Sequence, residues 1–150
     1  KANEQALAEI KTLEAEAKLD SIDTFKAFHQ KVSEIGEQLV ELLKNAKAAG
    51  KTIHIYGAST KGNVLLQLYG IDRTLIDAAA ERNEWKFGHR TPGTNIPIIS
   101  EEESRAQKPD YFLVLPWHFR DEFIKREKVF VEGGGKLIFP LPEVEVYPAN

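Results

Sequence analysis

The sequence contains no cysteine and no methionine in 150 residues. Without cysteine, neither a disulfide framework nor a thiolate zinc site can exist in this segment. A chain that begins at Lys1 and lacks methionine throughout reads as a piece of a longer protein, an excised C-terminal domain. No apolar run reaches membrane-spanning length and no signal peptide is visible, so a cytoplasmic location without membrane contact is expected. An excess of charge is missing too. The net charge is −3, which leaves no basic face for nucleic acid. Repeats and low-complexity segments are absent. What remains is an average composition in a chain of one-domain size, long enough to bury a core.

The stretch that organises the chain is Thr52-Ile53-His54-Ile55-Tyr56-Gly57-Ala58-Ser59-Thr60-Lys61-Gly62-Asn63. A β-branched and aromatic run meets a glycine, small hydroxylated residues follow, and a second glycine opens a helical pattern. That order predicts a buried strand, a tight turn and a helix. The first N–H groups of such a helix lack backbone partners and, with the helix dipole, suit a phosphate or carboxylate. A strand–helix turn that binds nothing is the alternative, and the turn by itself does not decide. Two familiar loops come close and neither fits. The dinucleotide fingerprint needs glycine where Ser59 stands, and a P-loop needs its lysine after the second glycine, whereas Lys61 precedes Gly62. NAD, ATP and a small dehydrogenase-like domain are therefore disfavoured. A generic anion cradle is left, with Ser59, Thr60, Lys61 and Asn63 as extra donors.

Upstream, Ala6, Ile10, Leu13 and Ala17 predict an amphipathic helix over 1–19. Asp20-Ser21 caps a second, long helix whose stripe Phe25, Phe28, Val32, Ile35, Leu39, Leu42 and Ala46 ends at Gly50. Such a stripe can serve as a homodimer seam, but packing on a sheet or a neighbouring domain is preferred. Gly36 within it suggests a close contact. Downstream, strands are expected at 75–80, 96–99, 111–115 and 136–139, with an edge strand at 144–147. Residues 84–97 read as a long polar loop, Ser100 and Glu103 as a capping box, and 120–130 as a helix. The alternation predicts an α/β fold, a Rossmann-like open parallel sheet with helices on both faces, preceded by a long N-terminal helix. Residues 1–50 are expected to form a helical segment packing on a domain of residues 51–150. Right-handed crossovers place strand 53–56 beside strand 111–115, with the ligand crevice at that reversal. There Gly57–Asn63 and Pro116–His118 would face each other, and Glu81–Asn83 with the 86–94 loop would close one side.

Among the histidines, His29 and His54 read as packing or surface residues, while His89 and His118 fall at the crevice without metal-ligand spacing. His118 can act as a base, but hydrogen bonding is the preferred role. Trp117 can stack on a base or sugar, or plug the end of the sheet. Arg82, Lys86 and Arg90 can contact phosphates, though basic loop residues are mostly solvated.

The succession Gly57-Ala58-Ser59-Thr60-Lys61-Gly62-Asn63, Glu81-Arg82-Asn83 with Lys86 and Gly88, Pro92-Gly93-Thr94 before Ile96-Pro97-Ile98, and Leu115-Pro116-Trp117-His118 resembles the C-terminal domain of sugar C-methyltransferases. The likeness covers roughly residues 20–147. It departs at Ser59 and Thr60, where the family often has Pro and Ala, and at Glu81, where Asp is common. The resemblance implies a three-part enzyme of zinc module, S-adenosylmethionine-binding methyltransferase domain and this domain, with the sugar nucleotide between the last two. It implies that the methyl-donor site and the base that forms the enolate lie in the other domains. This segment would then bind substrate through Gly57, Ser59, Thr60, Lys61, Gly62 and Asn63, with Glu81, Arg82, Asn83, His89, Thr94, Trp117 and His118 completing the pocket. No residue of the segment is assigned a catalytic or metal-binding role, and no cofactor is expected within it. The alternative is a non-catalytic nucleotide- or sugar-phosphate-binding domain that regulates or scaffolds another protein.

Overall fold

A computed structural model describes residues 3–149 of the chain. Its contacts fall into two compact units, one up to Glu34 and one from Ile35 onward. In the first, α1 (Glu4–Glu16) starts where the Asn3 side chain accepts the Ala6 N–H at 3.3 Å. The first two positions of the helix expected over 1–19 lie outside the described residues. Its end comes early because Lys18 takes φ +50°, a left-handed conformation that cannot continue a helix. The second helix, α2 (Ile22–Ala48), begins as expected, with Ser21 Oγ accepting the Asp23 N–H at 3.3 Å. Leu7, Ile10, Leu13, Phe25 and Phe28 are exposed.

In the second unit, α2 contributes Ile35, Leu39, Leu43 and Ala46 at steps of three and four, all buried. The Tyr69 ring lies so close over Gly36 that a Cβ there would overlap it, which accounts for a glycine inside a helix. The chain continues through β1 (Ile53–Tyr56), α3 (Thr60–Leu68), β2 (Ala78–Glu81), β3 (Ile98–Ser100), α4 (Glu101–Ala106), β4 (Tyr111–Val114), α5 (Arg120–Arg126), α6 (Lys128–Glu132), β5 (Lys136–Phe139) and β6 (Glu145–Tyr147). One six-stranded sheet results, in the order β3-β2-β1-β4-β5-β6, with only β6 antiparallel. Ile55 sits between Ala79 and Leu113, so the reversal of chain direction falls between β1 and β4, as expected. The fold is α/β with a Rossmann-like, mostly parallel sheet.

Both faces of the central strands are sealed. Ile53, Ile55 and Leu113 pack with Leu39, Leu43, Leu65 and Leu66, while Tyr56, Phe112 and Val114 pack with Phe123 and Phe130 on the opposite face. Fully burying such a side chain contributes roughly 1.5–3 kcal/mol, so these two layers dominate the stability. They are why the strands read as unbroken apolar runs. At the edge, Arg120 binds Glu145 through two hydrogen bonds of 2.7 and 2.5 Å and lies over the Phe139 ring, fastening α5 to β6.

Several boundaries differ from expectation. The second strand begins at Ala78 rather than Leu75. Asp72 accepts the Thr74 N–H and hydroxyl through its side chain, and the Leu75 and Ile76 N–H groups through its carbonyl. That turn takes Leu75 and Ile76 out of the sheet, although Ile76 is still buried. The third strand runs over 98–100 rather than 96–99. The helix expected over 120–130 is two helices, broken at Glu127. The 84–97 loop is built rather than loose. It holds a 3₁₀ turn at Glu84–Lys86, an Arg90–Pro97 bridge, and a Thr91 hydroxyl that accepts the Ile96 N–H at 2.9 Å.

His54 is buried in β1, with Nδ1 2.8 Å from the Ser104 hydroxyl of α4. Burial lowers its pKa below the ordinary value of 6.5. The unfolded chain therefore takes up a proton more readily than the folded one as the pH falls. Stability from this residue should be complete above about pH 6.5 and decline as acidification approaches the lower folded value. Unfolding free energies measured about one pH unit either side of that point should differ more for the wild type than for His54→Asn. Equal differences would remove His54 from the account.

Candidate functional site

The turn after β1 is set by glycine. Gly57 takes φ +86°, and a Cβ there would stand 3.4 Å from the Pro116 ring. Its N–H donates to the Ala80 carbonyl at 2.8 Å, tying the turn to β2. Ser59 caps α3: its hydroxyl accepts the Gly62 N–H at 3.1 Å and its carbonyl accepts the Asn63 N–H at 2.9 Å. Two first-turn donors, the N–H groups of Thr60 and Lys61, have no partner among the described residues. The Lys61 ammonium is likewise unpaired there. Gly62 packs against Leu115 after β4, where a Cβ would meet Leu115 carbons at 2.6 and 2.8 Å.

The other flank of the turn already holds an anion. Glu81, at the end of β2, accepts the Ala58 N–H at 3.1 Å through one oxygen and the Arg82 and Asn83 N–H groups at 2.9 and 3.2 Å through the other. Lys86 Nζ donates to that first oxygen at 3.0 Å and to the Ala58 carbonyl at 2.9 Å. Burial pushes the Glu81 pKa up, but Lys86 and the two backbone donors outweigh it and hold the carboxyl below its usual range. The open part of the cradle is therefore the Thr60–Lys61 end.

That end opens on a cleft of about 330 Å³, lined by Ala58, Ser59, Thr60 and Asn63 on one wall and by Trp85, Lys86, His89, Arg90 and Pro92 on the other. Asn63 binds the two walls together, its side-chain amide donating to the Pro92 carbonyl at 3.1 Å. A second cleft, of about 290 Å³, lies at the reversal between β1 and β4 and includes Gly57, Glu81, Arg82, Pro116 and Phe119. Beneath it the Tyr56 hydroxyl donates to Glu127 at 3.0 Å and accepts from Arg105 at 2.8 Å and from Arg126. Arg126 also reaches Glu101, and Arg105 reaches Glu127 at 2.9 Å. Burial, with Glu127 and Glu101 nearby, raises the Tyr56 pKa and keeps the phenol neutral.

The residues expected at the site thus divide. Ser59, Thr60, Asn63 and His89 line the first cleft; Gly57, Glu81 and Arg82 line the second. Lys61, Gly62, Asn83, Thr94, Trp117 and His118 line neither. Thr94 is buried, 2.6 Å from the Thr91 hydroxyl. Asn83 caps the 3₁₀ turn by accepting the Trp85 N–H at 3.1 Å. Trp117 is half-buried against the main core, and the exposed His118 ring meets Phe119 in a tilted contact with centroids 4.3 Å apart. Trp85 was not among the expected residues; its signal was a lone tryptophan inside a polar loop beside Lys86.

Residues 1–142 match the family model described as the C-methyltransferase C-terminal domain. A curated relative, C-methyltransferase NovU of Streptomyces niveus, is 36% identical over 145 residues, or 97% of this chain and 34% of the relative. The chain thus spans about a third of the length of that relative. Among the described residues, no helix is long and apolar enough to cross a membrane. With the motifs of the β1–α3 turn and the match over nearly its whole length, the chain belongs to the C-methyltransferase C-terminal domain family.

Proposed function

We propose that this chain is the substrate-binding C-terminal domain of an S-adenosylmethionine-dependent C-methyltransferase that acts on a nucleotide-linked deoxyketosugar. The methyl donor is held by the remainder of the same protein, a cytoplasmic enzyme, and residues 51–150 supply the sugar-nucleotide site, with residues 1–50 as the helices that precede it. One observation supports this reading: α3 starts with two unpaired N–H groups, those of Thr60 and Lys61, and Thr60 lines a cleft with basic residues on its far wall. A diphosphate is the ligand such donors stabilise most, because hydrogen bonds to a charged acceptor are worth roughly twice neutral ones. The Lys61 ammonium, exposed on the same turn, adds to that field. Of the expected residues, Ser59, Thr60, Lys61 and Asn63 serve the phosphates and His89 the far wall. Gly57, Gly62, Glu81 and Asn83 shape the turn.

The test is calorimetric titration of the chain with a thymidine-diphosphate sugar and, separately, with NAD. Tighter NAD binding overturns the reading. Lys61→Ala should weaken sugar-nucleotide binding by roughly fivefold, the upper end for a solvent-exposed ion pair, and less so at high salt. An unchanged affinity would take Lys61 out of the site.

A further inference from the structure

Trp85 is 90% exposed, the most exposed of the large apolar side chains described. An indole left in water adds no burial to the fold, and on the rim of the 330 Å³ cleft its flat face is open to a ligand. Its backbone is fixed by hydrogen bonds. Its N–H is capped by Asn83, the Asn83 N–H is bound by Glu81, and the neighbouring Lys86 is clasped between Glu81 and the Ala58 carbonyl. The same carboxylate therefore fixes both the anion-facing turn and the backbone that presents the indole. Across the cleft stands Thr60, whose N–H is unpaired, as is that of Lys61 next to it. Beside Trp85 stand His89, whose side chain has no partner among the described residues, and Arg90, which spends one guanidinium nitrogen on the Asn95 carbonyl at 3.0 Å.

A bare phosphate or sugar phosphate would use the donors and leave the indole idle. A ligand that uses both carries an anionic end and a flat aromatic end. We propose that Trp85 is the platform on which the base of the nucleotide stacks, with the diphosphate directed toward Thr60 and Lys61. This rests on the sugar-nucleotide reading above and adds to it the residue that selects a nucleotide over a simple sugar phosphate. Trp117, half-buried against the core, is the structural tryptophan of the pair.

The experiment titrates the 150-residue chain and its Trp85→Ala and Trp85→Phe variants with thymidine 5′-diphosphate, uridine 5′-diphosphate and inorganic pyrophosphate. Binding is followed by calorimetry and by quenching of indole fluorescence. Losing a base–aromatic stack is expected to weaken both nucleotides about 5- to 150-fold in Trp85→Ala. Trp85→Phe should keep part of that affinity, and pyrophosphate should bind all three proteins alike. Nucleotide binding that is equal in wild type and Trp85→Ala would overturn the stacking role while leaving the sugar-nucleotide reading standing. Self-association lost in Trp85→Ala at unchanged nucleotide affinity would overturn it too, reassigning the indole to a protein contact. Equal losses for nucleotides and pyrophosphate would mean that Trp85 only shapes the turn. A wild-type chain that binds none of the three would remove both proposals together.

Discussion

Glu127→Ala is expected to destabilise the fold by about 3 kcal/mol. Glu127 is only 2% exposed, and it accepts from Arg105 at 2.9 Å and from the Tyr56 hydroxyl at 3.0 Å, with Arg126 Nε at 3.4 Å. Two carboxylates, Glu101 and Glu127, face the Arg105 and Arg126 guanidiniums around that phenol, and Arg82 binds Glu101 from its more exposed side at 3.1 Å. Removing Glu127 leaves Arg105, Arg126 and Arg82 with Glu101 as their one shared carboxylate, and the Tyr56 hydroxyl loses its acceptor. Breaking a buried pair typically costs 3–5 kcal/mol. The Arg105 and Arg126 side chains are 42% and 29% exposed, so water can recover part of their solvation, which sets the expectation at the lower end. Glu127→Gln keeps an acceptor and should lose less. Denaturant unfolding at neutral pH measures both, and a loss under about 1 kcal/mol in the alanine variant would show that the network is peripheral to stability. The α5–α6 break should also relax, because Glu127 is the residue drawn inward at that point.

Gly62→Val should lower stability and ligand affinity together. Its Cβ would meet Leu115 at 2.6 and 2.8 Å, and Leu115 is itself 2% exposed within the main core. With nowhere for Leu115 to go, the start of α3 must shift. Overpacking of this kind costs typically 1–3 kcal/mol. The same shift would displace the Thr60 and Lys61 N–H groups; if these hold a phosphate as proposed, at about 1.5–3 kcal/mol per hydrogen bond, the sugar nucleotide should bind at least roughly tenfold more weakly. Gly62→Ala should show the same pattern in smaller measure. Thermal unfolding together with calorimetric titration decides the matter. Full sugar-nucleotide affinity in a destabilised variant would separate the turn from the site.

Much of this was readable from the chain because the governing signals are local. Apolar runs such as Ile53–Tyr56 and Tyr111–Leu115 specify strands sealed on both faces, and right-handed crossovers then leave few ways to order them. The Ser100 cap is likewise short-range; Ser59 and Asn83, expected to face a ligand, spend a side-chain oxygen on caps of the same local kind. Side-chain direction is not. Nothing near Trp85 or Trp117 says that the first turns outward and the second rests on the core, since tertiary neighbours decide it. Glu81 lies 23 residues beyond Ala58, so its occupation of that N–H depends on the β1–β2 register. Glu127 broke an otherwise periodic helix for the same reason: its partners Tyr56 and Arg105 are remote in sequence. Leu75 and Ile76 were assigned to a strand on hydrophobicity, and the Asp72 turn overrode it.

The clasp of Glu81 and Lys86 on the Ala58 peptide gives the β1–α3 turn two unlike ends. One end is a closed, self-neutralised knot; the other offers bare donors. On the proposed reading, an elongated ligand laid along the turn would be sorted head from tail, its negative portion finding no free donor on the Glu81 side and two at the start of α3. The turn would then act as a compass needle for such a guest, setting which way round it lies before its remaining groups make any specific contact.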